Sequence, residues 1–220
     1  MKWILAFFRS SIGKKTIMST TGLYLSIFLV MHLAGNLLLL LTDNGEAFRA
    51  YSEFMHASLF IFINEIILFA SLLIHIPTAI MISLQNRKAR KSRYQKTSPG
   101  NSSTMASRFM VFTGLLTLGF LVLHLNSFFV PVKILQQDMD LYSAVIEKFS
   151  QPVYVGVYLF CMVILALHLR HGFTSAFQTF GLNHSRYNTI FKLLGGLISI
   201  VVPIAFAAIP AVVYVREVLQ

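Results

Sequence analysis

The sequence predicts an all-α integral membrane protein with five transmembrane helices and its N-terminus in the cytoplasm. Three observations lead there. The chain of 220 residues is 56% hydrophobic and only 12% charged, whereas soluble domains average about 25% charged residues. Five apolar runs reach the roughly 20 residues that a helix needs to cross the hydrocarbon core. The basic residues then gather in alternate connections between those runs.

Taken in order, the first element is the short run Trp3–Phe8, flanked by Lys2 and Arg9. It reads as a helix lying in the membrane interface. Span I covers about 17–41; it is too long for the apolar core of a signal peptide and lacks a small-residue cleavage site. Span II covers about 57–84. A basic inner loop follows at about 85–108, polar over Asn86–Ser103 and containing Pro99-Gly100, which reads as a mobile connection. Span III covers about 109–132, span IV about 152–178 starting at Pro152, and span V about 190–215 with Pro203 and Pro210 inside it. These elements consume most of residues 1–220, so the chain is a single membrane domain with no room for a soluble catalytic one. The single Cys161 falls within span IV, which excludes an internal disulfide and a thiolate-held iron–sulfur cluster; a small packing residue is the reading.

Charge sets the orientation. Lys2, Arg9, Lys14 and Lys15 precede span I. Arg87, Lys88, Arg90, Lys91, Arg93, Lys96 and Arg108 join spans II and III, and Arg170, Arg186 and Lys192 join IV and V. The opposite side holds Arg49, Lys133, Lys148 and Arg216, with every acidic residue except Glu65, which lies in span II. The positive-inside rule puts the first set in the cytoplasm and the C-terminus outside. The net charge of +10 is therefore a matter of topology, anionic headgroups and a cytoplasmic partner on the basic face, not of nucleic acid.

Four of the five spans contain a histidine: His32, His75, His124 and His168. An ionisable side chain inside a membrane is costly, faces the bundle interior and marks function. Depth can be read from the charges at the span ends. His32 and His124 lie past the middle of the outward-running spans I and III. His75 lies past the middle of the inward-running span II. His168 is ~24 Å along span IV at ~1.5 Å per residue, in a core ~30 Å thick. The four thus sort into an outer pair, His32 with His124, and an inner pair, His75 with His168. Two layers of paired imidazoles suit two b-type haems in a four-helix haem-binding bundle with the fifth helix beside it. Bis-histidine iron has no open position, so electron transfer is the chemistry rather than oxygen binding.

Neighbouring residues agree. Gly35 and Gly172, each about one turn from a histidine, either admit a flat ring or allow close helix packing. Arg170 is a possible partner for a propionate at the inner surface. His171, three residues after His168, competes with it as a ligand, and His168 is the preferred choice. His56 and His184 fall near span ends and read as interfacial.

The stretches Ser11-Ile-Gly-Lys-Lys-Thr-Ile-Met-Ser-Thr-Thr-Gly22, Met31-His-Leu-Ala-Gly-Asn36, the His75 and His124 spans, and His168-Leu-Arg-His-Gly-Phe-Thr-Ser-Ala-Phe-Gln-Thr-Phe-Gly181 resemble a known family. It is the dihaem cytochrome b membrane-anchor subunit of succinate:menaquinone oxidoreductases and quinol:fumarate reductases, of the single-subunit, five-helix type. The motifs are short; their order over nearly the whole chain carries the resemblance. It implies the same histidine pairing, two haem b groups, and residence in a bacterial inner (cytoplasmic) membrane. It also implies an iron–sulfur subunit and an FAD-bearing flavoprotein subunit as partners, in an enzyme shared by the respiratory chain and the tricarboxylic acid cycle. The chain would pass electrons between the iron–sulfur subunit and menaquinone; it has no nucleotide fingerprint and no dicarboxylate site of its own.

Quinone chemistry needs proton exchange beside an apolar cleft. Glu65 is the candidate for that proton transfer, because desolvation favours its neutral form; a structural hydrogen bond or a water-filled mouth is the competing reading. Asn64, Asn126, Tyr51, Arg49 and His56 share that outer region, and Ser175 and Gln178 are weaker candidates near the inner face. Two rival functions remain at this point. One is the dihaem subunit of a hydrogenase, formate dehydrogenase or nitrate reductase. The other is a haem-free transporter with a histidine relay, against which stands the lack of an inverted repeat or of paired broken helices.

Overall fold

The computed structural model describes residues 2–89, 105–182 and 185–219. These residues form helices and short connections, with no strand among them. Helix α1 spans Lys2–Arg9 and α2 spans Ser11–Asn36, continued by a 3-10 turn over Leu37–Leu40. After a loop come α3 (Glu46–Ala57) and α4 (Leu59–Ala89). Helix α5 (Met105–His124) runs on as a π-helix over Leu125–Ile134. Then follow α6 (Leu141–Phe149), α7 (Pro152–Thr179) and α8 (Ser185–Val218). Five of these are long and apolar enough to cross a membrane: 11–40, 59–86, 109–134, 152–179 and 189–218. The expected spans are all present, and most are longer than expected. Most of the basic connection expected over 85–108, and His184, lie outside the described residues; α4 itself continues through Lys88 to Ala89.

Local chemistry explains the boundaries. The Ser10 hydroxyl accepts from the Gly13 amide and caps α2. Pro152 opens α7 at the position where a helix needs no amide hydrogen. Two helices, α3 and α6, appear where the sequence suggested only loops. Both are short, and both are set by an aspartate. Asp43 accepts from the amides of Gly45 and Ala47 at the start of α3, and Asp140 accepts from those of Tyr142 and Ser143 at the start of α6. Gly45 has φ +85°, and a side chain there would run into the Tyr142 ring, so glycine makes the turn that docks α3 on α6. Arg49 of α3 then grips Asp140 with two hydrogen bonds of 3.0 and 2.7 Å and lies over the Tyr142 ring. That guanidinium and the Ser143 hydroxyl hold the Asp140 carboxyl well below the usual carboxylate range.

Helices α2, α4, α5 and α7 form the four sides of a bundle, in which α2 packs on α4 and α7, and α5 packs on α7. Helix α4 meets α5 only briefly, and neither diagonal, α2 with α5 or α4 with α7, has an extended backbone approach. Helix α8 lies outside this square, packed along α7 and touching α2. The core lies on that side. Leu39, Phe149, Val155, Tyr158, Val202, Ile209 and Val213 form one buried cluster, and Met162, Leu165 and Leu169 continue it along α7.

Candidate functional site

The two diagonals carry the four span histidines. His32 on α2 and His124 on α5 meet across one diagonal, with ring centroids 5.7 Å apart and planes at 85°. Aromatic rings surround them: Phe28 stacks on His32, Phe206 of α8 leans on it, and Phe120 and Phe128 flank His124.

The other diagonal joins α4 to α7. The His75 ring lies against α2, where Thr21 Oγ1 is 3.0 Å from Nδ1, and a Cβ added to Gly22 would lie 3.2 Å from Cε1. The His168 ring lies against α5, where a Cβ on Gly114 would lie 3.4 Å from Cε1. Gly22 precedes His32 by ten residues on α2, and Gly114 precedes His124 by ten on α5. At about 1.5 Å per residue, each of these offsets is about 15 Å. Two independent helices thus set His75 and His168 at one common level, about 15 Å from the His32–His124 level and nearer the basic end.

The two glycines that seat the inner rings were not singled out in the sequence. Their signal was available: the same ten-residue spacing to a histidine occurs in spans I and III. Two glycines that were singled out have other neighbours. Gly35 is covered by the Tyr51 ring of α3, which would overlap any side chain there. The close approach it permits is therefore helix packing, because α3 folds back over the end of α2. Gly172 faces only the end of Met110, at ordinary contact distance.

The competing histidines separate by their partners. His171 Nε2 is 3.2 Å from Ser175 Oγ, one turn along its own helix. His168 Nδ1 is buried with no hydrogen-bond partner among the described residues. A buried imidazole nitrogen left unmatched costs about 1–3 kcal/mol, so His168 belongs in an arrangement that satisfies it, and His171 has one already. Arg170 is exposed beside this site at the basic end, and His56 is exposed on α3. Ser175 is occupied by His171, and Gln178 is exposed.

At the other end, Glu65 of α4 is paired with Lys133 of the π-helix, Nζ to Oε2 3.1 Å. The sequence suggested an isolated acid in an apolar span and a lysine in a loop. The helix instead continues past Lys133, so the carboxylate has its counter-ion. Asn64 accepts through its carbonyl from the Tyr24 hydroxyl at 3.3 Å, and Asn126 is exposed. Arg49 serves the α3–α6 clamp. Burial raises the Tyr51 hydroxyl's pKa above the ordinary phenol value.

Among the described residues, no three of His, Cys, Asp and Glu converge as a metal cluster. The donors come in pairs, which suits a centre with two protein ligands. No protein-family model, curated protein or solved structure matches the chain. The fold itself defines the class: a multi-pass helical membrane protein with five helices long and apolar enough to span the bilayer.

Proposed function

We propose that this chain is the dihaem cytochrome b subunit of a succinate:quinone oxidoreductase or quinol:fumarate reductase. In this reading it anchors the iron–sulfur and flavoprotein subunits to a bacterial inner membrane, with its N-terminus and basic connections in the cytoplasm. Electrons pass through it between the iron–sulfur subunit and menaquinone.

The meeting of His32 and His124 across a diagonal carries the reading. Their centroids are 5.7 Å apart, close enough that both imidazoles would hold one metal ion placed between them. The inner level offers the same donor types, seated on glycines that bring the rings close to the neighbouring backbones. The residues present therefore fit two flat, bis-histidine groups: His32 with His124, and His75 with His168, whose buried Nδ1 has no competing partner among the described residues. Haem held in this way supplies one-electron transfer without an open coordination position. The chain's own part is to hold the imidazoles at two depths, to exclude water with aromatic side chains, and to offer Arg170 to an acidic group at the basic end.

Glu65 with Lys133 is the candidate for handling quinone protons. The pair lies at the end of the bundle nearer the His32–His124 level, and both side chains are partly exposed. A carboxylate and an ammonium together can accept and return a proton beside an apolar cleft.

The test is haem content. Membranes containing the complex should give a reduced-minus-oxidised b-type spectrum with about two haems per chain, as two bis-histidine pairs require, and an iron–sulfur and a flavin subunit should copurify. A colourless complex would overturn the reading.

A further inference from the structure

The two histidines on α4 and α5 each touch a hydroxyl from the adjacent helix of the bundle. His75 meets Thr21 of α2, and His124 Nδ1 is 3.1 Å from the Tyr158 hydroxyl of α7. Neither hydroxyl was singled out in the sequence, although a tyrosine inside an apolar span needs a hydrogen-bond partner.

The direction of each contact follows from what the hydroxyl's own hydrogen is doing. A hydroxyl has one hydrogen to give and a carbonyl can only accept. Thr21 Oγ1 lies 2.9 Å from the carbonyl of Ile17 and 3.1 Å from that of Met18, so its hydrogen is committed within α2. The remaining contact, to His75, therefore has Nδ1–H as donor. At His124 the argument runs along a chain. Ser127 Oγ donates to the Leu123 carbonyl at 2.8 Å and accepts from the Tyr154 hydroxyl at 2.7 Å. Tyr154, its hydrogen spent, accepts from Tyr158 at 3.4 Å. Every contact is satisfied at once only if Tyr158 in turn accepts from His124 Nδ1–H. Both imidazoles then carry the hydrogen on Nδ1, and Nε2 keeps its lone pair. These tautomers are assigned from the hydrogen-bond network.

We propose that Thr21 and Tyr158 are positioning residues for the metal centres, fixing His75 and His124 in the tautomer whose Nε2 is the ligating atom. The inference rests on the dihaem reading above. A hydrogen bond from Nδ1–H also makes the opposite nitrogen a more basic ligand, which favours the oxidised metal. Among the described residues, the partners His32 and His168 lack such support. His32 has only long contacts to the Asn36 amide, 3.4 and 3.5 Å, and His168 Nδ1 has none. Each pair is thus built from one locked imidazole and one adaptable one.

The experiment is a redox titration of the b-type absorbance in the intact complex, comparing Tyr158→Phe and Thr21→Val with the wild type. Tyr158→Phe should raise the midpoint potential of the haem that His32→Ala removes, leaving the other unchanged. Thr21→Val should raise the other one, and Thr21→Ser should restore it. Loss of only the affected haem in either variant also supports the assignment, since a wrong tautomer cannot ligate through Nε2. If Tyr158→Phe fails to assemble, Tyr154→Phe cuts the chain one step back and should shift the same potential, by less. Two haems with unchanged potentials in Thr21→Val and in the assembled tyrosine variant would overturn the proposal while leaving the dihaem reading intact. A wild-type complex without b haem would overturn both.

Discussion

The two halves of the bundle are packed differently. Helices α2, α7 and α8 share a core in which Leu39 is 1% and Val213 0% exposed. Helices α4 and α5 have no such core; among their described side chains only Ser71 and Thr113 are buried, and both are polar. Side chains such as Phe112, Leu115 and Phe62 face outward, toward lipid or a partner. Each histidine pair straddles this division. His32 and His168 stand on the tightly packed helices, and His75 and His124 on the others. The dense half is a scaffold; α4 packs on it along α2 and α5 along α7, and the imidazole–hydroxyl contacts join the halves at two levels. In a bilayer, where apolar side chains are as content with lipid tails as with each other, such polar contacts add to close packing in holding helices together.

The largest expected effect breaks that attachment at one level at a time. His75→Ala and His168→Ala should each remove the same haem, halving the b-type absorbance, and His32→Ala and His124→Ala should each remove the other. Loss of a haem by His171→Ala but not by His168→Ala would exchange those two assignments. Next comes the contrast in packing. Leu39→Ala should cost about 2–5 kcal/mol, as truncations at full burial do, whereas Leu115→Ala on the outward face of α5 should stay within about 0.5 kcal/mol. Thermal unfolding in detergent reads both; equal effects would erase the distinction between the halves.

A smaller effect concerns the α3–α6 clamp. The Asp140 carboxyl is held down chiefly by its hydrogen bonds from Arg49. A lowered folded value means that the stabilisation is complete above the ordinary carboxylate value of about 3.9 and fades as the pH falls through the folded one. Between pH 5 and 8, roughly the usual stability plateau, the clamp should add no pH dependence. Asp140→Asn should lower the melting temperature at neutral pH and flatten its fall in acid. Both side chains are partly exposed, so the loss should be about 1 kcal/mol or less. The smallest structural effect is expected from Lys133→Met. It should leave both haem spectra in place and alter the pH profile of quinone turnover, if Glu65 handles protons there; an unchanged profile would remove that pair from the chemistry.

The spans and the histidine levels were legible because membrane crossing demands long apolar runs, and because a titratable ring within one is conspicuous. Helices α3 and α6 were not legible. They are short, sit at the end of the bundle, and owe their position to Asp43, Asp140 and Arg49, whose pairing joins residues far apart in sequence. Gly22, Gly114, Thr21 and Tyr158 were missed for a related reason. Each acts on a histidine of another helix, so its meaning depends on which helices are neighbours. Lys133 was misjudged because no apolar pattern reveals that a helix has changed its winding.

That change of winding has an evolutionary side. From Leu125 to Ile134 the backbone is a π-helix, which accommodates extra chain within a turn. Removing one residue between Asn126 and Val130 would let a wide turn tighten to ordinary helix, and because the lost residue and the tighter winding offset each other, Lys133 would keep roughly its facing toward Glu65. Homologous chains a residue shorter here should therefore still keep the acid opposite its lysine, the missing residue falling beside the proline.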